Sequence, residues 1–99
     1  PLAASGAALL FEGQILSTGE VPGTLQLREI AAWLDQMERV PVFSTAALGF
    51  DEPDFAPLVS VAAGIVATPV SSTPGEYLIW FRPERIRLIT WGGDPLKPV

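Results

Sequence analysis

The sequence offers few side chains for catalysis or metal binding. It contains no histidine and no cysteine, which excludes a serine–histidine pair, a phosphoacceptor histidine and thiolate or imidazole metal ligands within these residues. Three carboxylates stand close together at Asp51, Glu52 and Asp54 and could hold a hard cation. Prolines interrupt this group and no calcium-loop pattern surrounds it, so we interpret it as loop and capping residues. We therefore predict no catalytic, cofactor-binding or metal-binding residue, and no enzymatic activity in this chain.

Two further groups near the end of the chain could carry a function. Trp91-Gly92-Gly93 combines a large aromatic side chain with two residues of permissive backbone, which suits an anchored segment that changes direction. The alternative is a strand that ends beside an edge tryptophan. Glu84 lies near Arg82 and Arg85 in the sequence, and we interpret this group as a turn salt bridge with little effect on stability.

A predicted hairpin positions these groups. Tyr77 to Phe81 is an unbroken run of aromatic and branched residues, typical of a strand buried on both faces. Arg82-Pro83-Glu84 interrupts the run, because proline presets a tight turn and disfavours helix at the residue before it. Arg85 to Trp91 then alternates basic and apolar residues at the strand period of two. The simplest interpretation is an antiparallel hairpin that turns at Pro83-Glu84.

The first half of the chain predicts another hairpin and one helix. Ala7 to Phe11 and Gln14 to Thr18 are short strands joined by a turn at Glu12-Gly13. A helix is expected from Leu25 to about Glu38, with Thr24 as its N-cap. Its apolar stripe, which should face the sheet, consists of Leu27, Ile30, Ala31, Leu34 and Met37.

The middle of the chain predicts short elements. Val42 to Thr45 is a strand, and Ala46 to Leu48 is one helical turn. A second short helix is expected after Asp54 as N-cap, with Pro57 in its first turn. Ile65 to Val70 is a further strand. This order predicts an α+β fold, an antiparallel sheet with flanking helices, in one domain over residues 1–99.

The charge is negative overall and uneven along the chain. The net charge of −5 disfavours nucleic acid and anionic membranes as partners. Residues 1–81 carry two arginines against nine carboxylates, a net charge of −7, and residues 82–99 carry a net charge of +2. No apolar run approaches the roughly 18 residues of a membrane span. We expect a cytoplasmic protein.

The stretch Tyr77-Leu78-Ile79-Trp80-Phe81-Arg82-Pro83-Glu84, followed by Trp91-Gly92-Gly93-Asp94-Pro95, resembles the PHY domain of bacterial phytochromes, the red/far-red photoreceptors. The resemblance implies a GAF-related fold and a partial PHY domain. It also implies that the tongue, an arm that covers the chromophore pocket of a neighbouring GAF domain, begins near Trp91.

The resemblance implies a function as well. The module would shield the chromophore and relay a signal from bilin photoisomerisation in the GAF domain to an output module, often a histidine kinase. The bilin, biliverdin in bacterial members, would lie in the GAF domain of the parent protein, so no cofactor is expected in this chain. The expected partners are the GAF domain and the output module of the same protein, in a homodimer.

Two alternatives stay open at this point. The chain could be a GAF-like domain that binds a small molecule in an apolar pocket lined by Trp33, Trp80 or Phe81. It could also be a dimerisation module that uses exposed sheet edges. A measured ligand would favour the first alternative.

Overall fold

A computed structural model of the chain describes residues 5–83. The elements in chain order are β1 Gly6–Phe11, β2 Gln14–Gly19, α1 Thr24–Asp35, β3 Phe43–Thr45, α2 Leu48–Asp51, a 3-10 helix Pro53–Leu58, α3 Val59–Ala62, β4 Gly64–Pro69 and β5 Tyr77–Arg82. The predicted strand at Arg85 to Trp91, and with it the second half of the predicted hairpin, lies outside the described residues.

The five strands form one antiparallel sheet in the order β2-β1-β5-β4-β3. β5 lies in the middle and pairs with β1 on one side and β4 on the other. Across the centre of the sheet, Ile79 stands opposite Ala8 of β1 and Ala67 of β4. The predicted α+β fold with an antiparallel sheet is confirmed.

The sheet has a buried inner face and a partly exposed outer face. The described helices pack on the inner face, whose buried side chains are Ala8, Leu10, Ile65, Ala67, Tyr77, Ile79 and Phe81. On β5 the alternate residues Leu78 and Trp80 point to the outer face and are only half-buried. The prediction that this strand is buried on both faces is therefore wrong.

The hairpin of β1 and β2 turns at Glu12 and Gly13, as predicted. Both residues have positive φ angles, 53° and 77°, which is the geometry of the two-residue turn that matches the twist of paired strands. Glycine adopts this angle without strain, and Glu12 adopts it at some cost. The turn sets the register in which Leu10 stands opposite Ile15 on the inner face.

Helix α1 covers the inner face with the predicted apolar stripe. Its buried residues are Leu27, Ile30, Ala31 and Leu34. Met37 lies beyond the helix and packs partly buried against the same core. Burying a side chain of this size stabilises the fold by roughly 1.5–3 kcal/mol relative to leaving it exposed. The stripe therefore accounts for the position of α1.

Both predicted ends of α1 are wrong. Thr24 is the first helical residue, and Gly23 is the N-cap, with an extended backbone and no side-chain hydrogen bond. The helix ends before Glu38, because the amides of Gln36 and Met37 donate to carbonyls three residues earlier, at 3.1 Å each. Such bonds tighten the last turn and end the α-helical pattern.

Trp33 packs at the edge of the core. Its ring meets Phe43 and Phe55 edge-on, with centroids 5.7 and 5.6 Å apart. Edge-to-face pairs at this distance are favourable because the positive rim of one ring meets the negative face of the other. These three rings join α1, β3 and the 3-10 helix.

The segment between β3 and β4 differs most from the prediction. The predicted helical turn at Ala46–Leu48 is displaced to Leu48–Asp51. Pro57 lies inside a 3-10 helix and not in the first turn of an α-helix. Because proline has no N–H, it leaves one backbone hydrogen bond of the helix unmade. Asp54 is not an N-cap: its amide donates to Glu52 Oε2 at 3.2 Å.

The close contact at Gly6 generates a prediction about stability. A Cβ at Gly6 would lie 2.1 Å from the backbone oxygen of Glu20, and backbone cannot move aside cheaply. We expect Gly6→Ala to lower the free energy of unfolding by about 2 kcal/mol or more. The control is Gly13→Ala, where φ is positive but no atom lies within 4 Å, so that strain costs only about 1–2 kcal/mol. Denaturant unfolding followed by circular dichroism measures both. A smaller loss for Gly6→Ala than for the control would contradict this account.

Candidate functional site

The motif residues Trp80, Phe81, Arg82 and Pro83 end the central strand. Phe81 is fully buried in the core, Trp80 is half-buried on the outer face, and Arg82 is exposed. Arg82 is the last paired residue and stands opposite Gly64. Pro83 follows it, and proline cannot donate a hydrogen bond to a ladder. The motif therefore combines a core anchor, an outward aromatic residue and the last residue of β5.

Backbone contacts surround the end where β5 leaves the sheet. The Ser5 amide donates to the Phe81 carbonyl at 2.9 Å, and the Ser5 carbonyl accepts from the Glu20 amide at 3.0 Å. On the other side, a Cβ at Gly64 would lie 2.9 Å from the backbone oxygen of Thr45. The beginning of β1, the end of β2 and the start of β4 thus meet at this end of the sheet.

The outer face near Trp80 is apolar and partly open. Trp80 is flanked in register by Ala7 of β1 and Val66 of β4. Leu16 on β2 is 64% exposed. Two shallow depressions of about 210 and 230 Å³ lie along this face, and both are lined by Leu9 and Leu16. An apolar surface of this kind is suited to contact with another apolar surface.

Hydrogen bonds to Asp35 join the opposite end of β5 to helix α1. The Tyr77 hydroxyl donates to Asp35 Oδ1 at 2.7 Å, and the Gly75 amide donates to the same oxygen at 3.0 Å. Tyr77 is buried, and the guanidinium of Arg39 lies 6.0 Å from the centre of its ring. Burial, together with the hydrogen bond to Asp35 and its charge, raises the pKa of Tyr77 to about 12, and Arg39 acts weakly in the opposite direction.

Glu76, the residue before β5, joins two loops at that same end. The Ser71 hydroxyl donates to Glu76 Oε1 at 2.5 Å, and the Glu12 amide donates to Glu76 Oε2 at 2.8 Å. These two hydrogen bonds favour the ionised carboxylate, the Ser71 bond most, and lower the pKa of Glu76. Glu76 thereby links the β4–β5 loop to the β1–β2 turn.

The family model described as "Phytochrome region" matches residues 1–99, the whole chain. The chain belongs to the phytochrome PHY family. Cyanobacterial phytochrome B of Nostoc sp. is 38% identical over 96 residues, which is 97% of this chain and 13% of the relative. The phytochrome-like protein Cph1 of Synechocystis sp. is 37% identical over 90 residues, 91% of this chain and 12% of the relative.

A solved structure agrees with this membership. The crystal structure of bacteriophytochrome RpBphP3 from the photosynthetic bacterium R. palustris superposes with a TM-score of 0.78 at 34% identity, covering 97% of this chain and 19% of that one. The resemblance of the sequence motif to PHY domains is confirmed. The PHY chain spans about an eighth of the length of these curated relatives.

Several predicted site residues of the PHY chain lie beyond the part that the structure describes. These are Glu84 and the predicted tongue root Trp91, Gly92 and Gly93. Their roles, and the position of the tongue near residue 91, stay predictions. Of the motif, the structure places Trp80, Phe81, Arg82 and Pro83 together at the end of β5.

Among residues 5–83, the three aromatic residues of the small-molecule alternative do not line one common pocket. Trp33 packs against other rings, Phe81 is buried in the core, and Trp80 lies on the opposite face of the sheet. The cavity between α1, β4 and Tyr77 measures about 20 Å³, which is room for a single water molecule. The sequence also has no cysteine, so the described core does not fit a covalently attached bilin.

The acidic residues and the helices of the described range form neither a metal site nor a membrane span. Within residues 5–83, no group of three or more carboxylates is arranged to hold a metal ion, and Glu52 instead accepts a hydrogen bond from the Asp54 amide. No helix in this range is long and apolar enough to cross a membrane.

Sequence reasoning missed the contacts of Asp35, Glu76 and Tyr77. Asp35 is exposed on α1 and lies outside the predicted apolar stripe. The helical pattern could not indicate that this carboxylate reaches a tyrosine 42 residues further along the chain. The one signal available was that the sequence has a single tyrosine, at the first position of the central strand.

The environment of Tyr77 predicts how stability depends on pH. Its folded pKa of about 12 exceeds the ordinary value of 10.0, so folding favours the neutral phenol. The resulting contribution of Tyr77 to the free energy of unfolding is fully present below pH 10.0 and is lost as the pH rises toward 12. Since Tyr77 is the only tyrosine, ultraviolet absorbance of tyrosinate reports this group alone. We expect a midpoint near 12, lowered in Asp35→Asn; a midpoint near 10.0 in the folded chain would contradict the contact.

Proposed function

We propose that this chain is a signal-relay and chromophore-shielding PHY module of a phytochrome-like red/far-red photoreceptor. In this proposal it couples bilin photoisomerisation in a neighbouring GAF domain to an output module. The observation that carries the proposal is the position of the motif. Trp80, Phe81, Arg82 and Pro83 end the central strand of the sheet, and the chain continues from there toward Trp91-Gly92-Gly93.

The central position of β5 supports a relay. β5 pairs along its length with both β1 and β4, and Phe81 is buried directly before the point of exit. A displacement of the chain after Pro83 therefore acts on a strand that is bonded on both sides. Packed cores change between discrete arrangements and do not deform continuously, which favours transmission to the neighbouring strands.

The parent protein would supply the parts that this chain lacks. The names of the relatives are those of phytochromes, and the chain covers only a small part of their length. The proposal therefore assigns the bilin to a GAF domain and catalysis, where present, to an output module such as a histidine kinase. The module itself is proposed to have no enzymatic activity and to act in a homodimer in the cytoplasm.

The proposed tongue root gives a direct test in the full-length receptor. Gly92 has backbone freedom that a β-branched residue lacks, so we expect Gly92→Val to favour the extended conformation. About 1.4 kcal/mol is enough to change a two-state ratio tenfold. Chromophore attachment should stay intact, and photoconversion yield or dark reversion should change. Trp91→Ala should have a similar effect through loss of the aromatic anchor.

The control for this test is Ala32→Val, which adds the same branching on the exposed side of α1. Absorbance spectroscopy under alternating red and far-red light compares the three variants with the wild type. If Gly92→Val and Trp91→Ala match the wild type in spectra, yield and reversion rate, these residues are only the end of a strand.

The exposed outer face favours a second candidate function, dimerisation with another copy of this chain. β2 is an edge strand of the sheet, and its six residues include no charge and no proline, the features that usually prevent edge association. Leu16 on β2 is 64% exposed beside Leu9 and Leu78. A second copy could cover these leucines with the same residues of its own.

Self-association through this face has a matched test. We expect the 99-residue chain to associate at high concentration and Leu16→Glu to reduce the association, because a charge would be buried at the contact. The control is Leu25→Glu at the start of α1, where the side chain is 66% exposed. Light scattering over a concentration series measures the mass. A monomer at every concentration, or equal effects of both substitutions, would rule out this face as the contact.

A further inference from the structure

Polar contacts form a closed circuit around the end of the sheet where β5 begins. Starting from α1, Arg28 Nη2 donates to the Gly13 carbonyl at 3.1 Å. The neighbouring Glu12 amide donates to Glu76, and Tyr77, the next residue, donates to Asp35 on α1 again. Helix, turn and central strand are thus joined in a ring. We call this ring the polar clamp; its side chains belong to Arg28, Asp35, Glu76 and Tyr77.

The β4–β5 loop is tied into the polar clamp by three further contacts. The Gly75 amide donates to Asp35 Oδ1, and the Ser71 hydroxyl donates to Glu76 Oε1. Arg39 Nη2 donates to the Ser71 carbonyl. Hydrogen bonds with a charged partner are stronger and shorter than neutral ones, and each of these three has a carboxylate or a guanidinium on one side.

The end where β5 leaves the sheet is held differently. Its described contacts beyond the strand ladders are the backbone hydrogen bonds of Ser5 with Phe81 and Glu20. The Ser5 hydroxyl is buried there without a hydrogen-bond partner among the described residues. Among residues 5–83, side chains from three segments therefore hold the beginning of β5, and the backbone hydrogen bonds of Ser5 lie at its end.

We propose that Asp35 and Glu76 are positioning residues that fix the beginning of β5 against α1 and the β1–β2 turn. A displacement at Pro83 then moves β5 as a unit and reaches α1 through Asp35 and Tyr77. The light-dependent part of this inference rests on the proposed function. The mechanical part does not, because it concerns how β5 is held in this chain.

The mechanical part is tested by amide hydrogen exchange in the full 99-residue chain. Tyr77→Phe keeps the ring and removes only the hydroxyl, and Glu76→Ala removes both of its hydrogen bonds. We expect each to accelerate exchange along β5 by about fivefold to tenfold, the effect of losing one or two net hydrogen bonds. The control is Leu48→Val in α2, a buried residue outside the clamp. Exchange should be compared under conditions of equal global stability. Equal acceleration of β5 in the control would overturn the proposal.

The light-dependent part is tested in the full-length receptor with Asp35→Asn and Asp35→Ala. The Asn Oδ1 still accepts from Gly75 and Tyr77, so this variant should keep the wild-type photoproduct yield and dark reversion. Asp35→Ala loses both bonds and should change one of these quantities at least about threefold. Equal behaviour of the two variants would overturn the positioning role. A wild-type receptor without a light response would instead refute the proposed function, and hydrogen exchange would still decide the clamp.

Discussion

The two hydrogen-bonded ladders that hold β5 between β1 and β4 constrain the rest of the fold. They direct Tyr77, Ile79 and Phe81 into the core, where each aromatic or aliphatic side chain contributes roughly 1.5–3 kcal/mol through burial. A slip of the register by one residue would turn Leu78 and Trp80 into the core in place of these side chains. It would also require the hydrogen bonds to both neighbouring strands to shift at the same time. The register of β5 is therefore fixed, and the chain that follows Pro83 starts from a fixed point.

The same constraint gives the two ends of β5 different surroundings. At its beginning, β5 meets the β1–β2 turn and the C-terminal part of α1, because β1 runs antiparallel to it and α1 crosses the inner face. The carboxylates of Glu76 and Asp35 join these segments. At its other end, glycines bring the backbone of β1 close to the end of β2, and the backbone of β4 close to the end of β3, so that a side chain at these positions would clash. Among the described residues, side-chain hydrogen bonds at one end and backbone pairing at the other suit the proposed transmission of a displacement along this strand.

Local patterns were sufficient to predict much of this architecture. Strand and helix periods gave the hairpin at Glu12-Gly13 and the apolar stripe of α1, since both depend on neighbouring residues. The ends of α1 and the 3-10 helix around Pro57 depend on which backbone groups find partners, and several arrangements satisfy the same sequence. Periodicity also could not assign the faces of Tyr77 to Phe81, because every residue in that run is apolar. The Asp35 contact joins residues 42 positions apart, which no local pattern encodes.

The packing of the interior is relevant to the choice between a signal relay and a domain that binds a small molecule. In a domain that binds a small molecule, the space between helices and sheet encloses a pocket of hundreds of cubic ångströms. Here the ring of Trp33 meets Phe43 and Phe55 edge-on at the edge of the core, and the cavity beside Tyr77 is close to the size of one water molecule. A densely packed core has low compressibility and passes strain from one element to the next. A filled interior beside Tyr77 is therefore compatible with the proposed relay, because strain at the sheet would be passed to the side chains of α1 that pack on it.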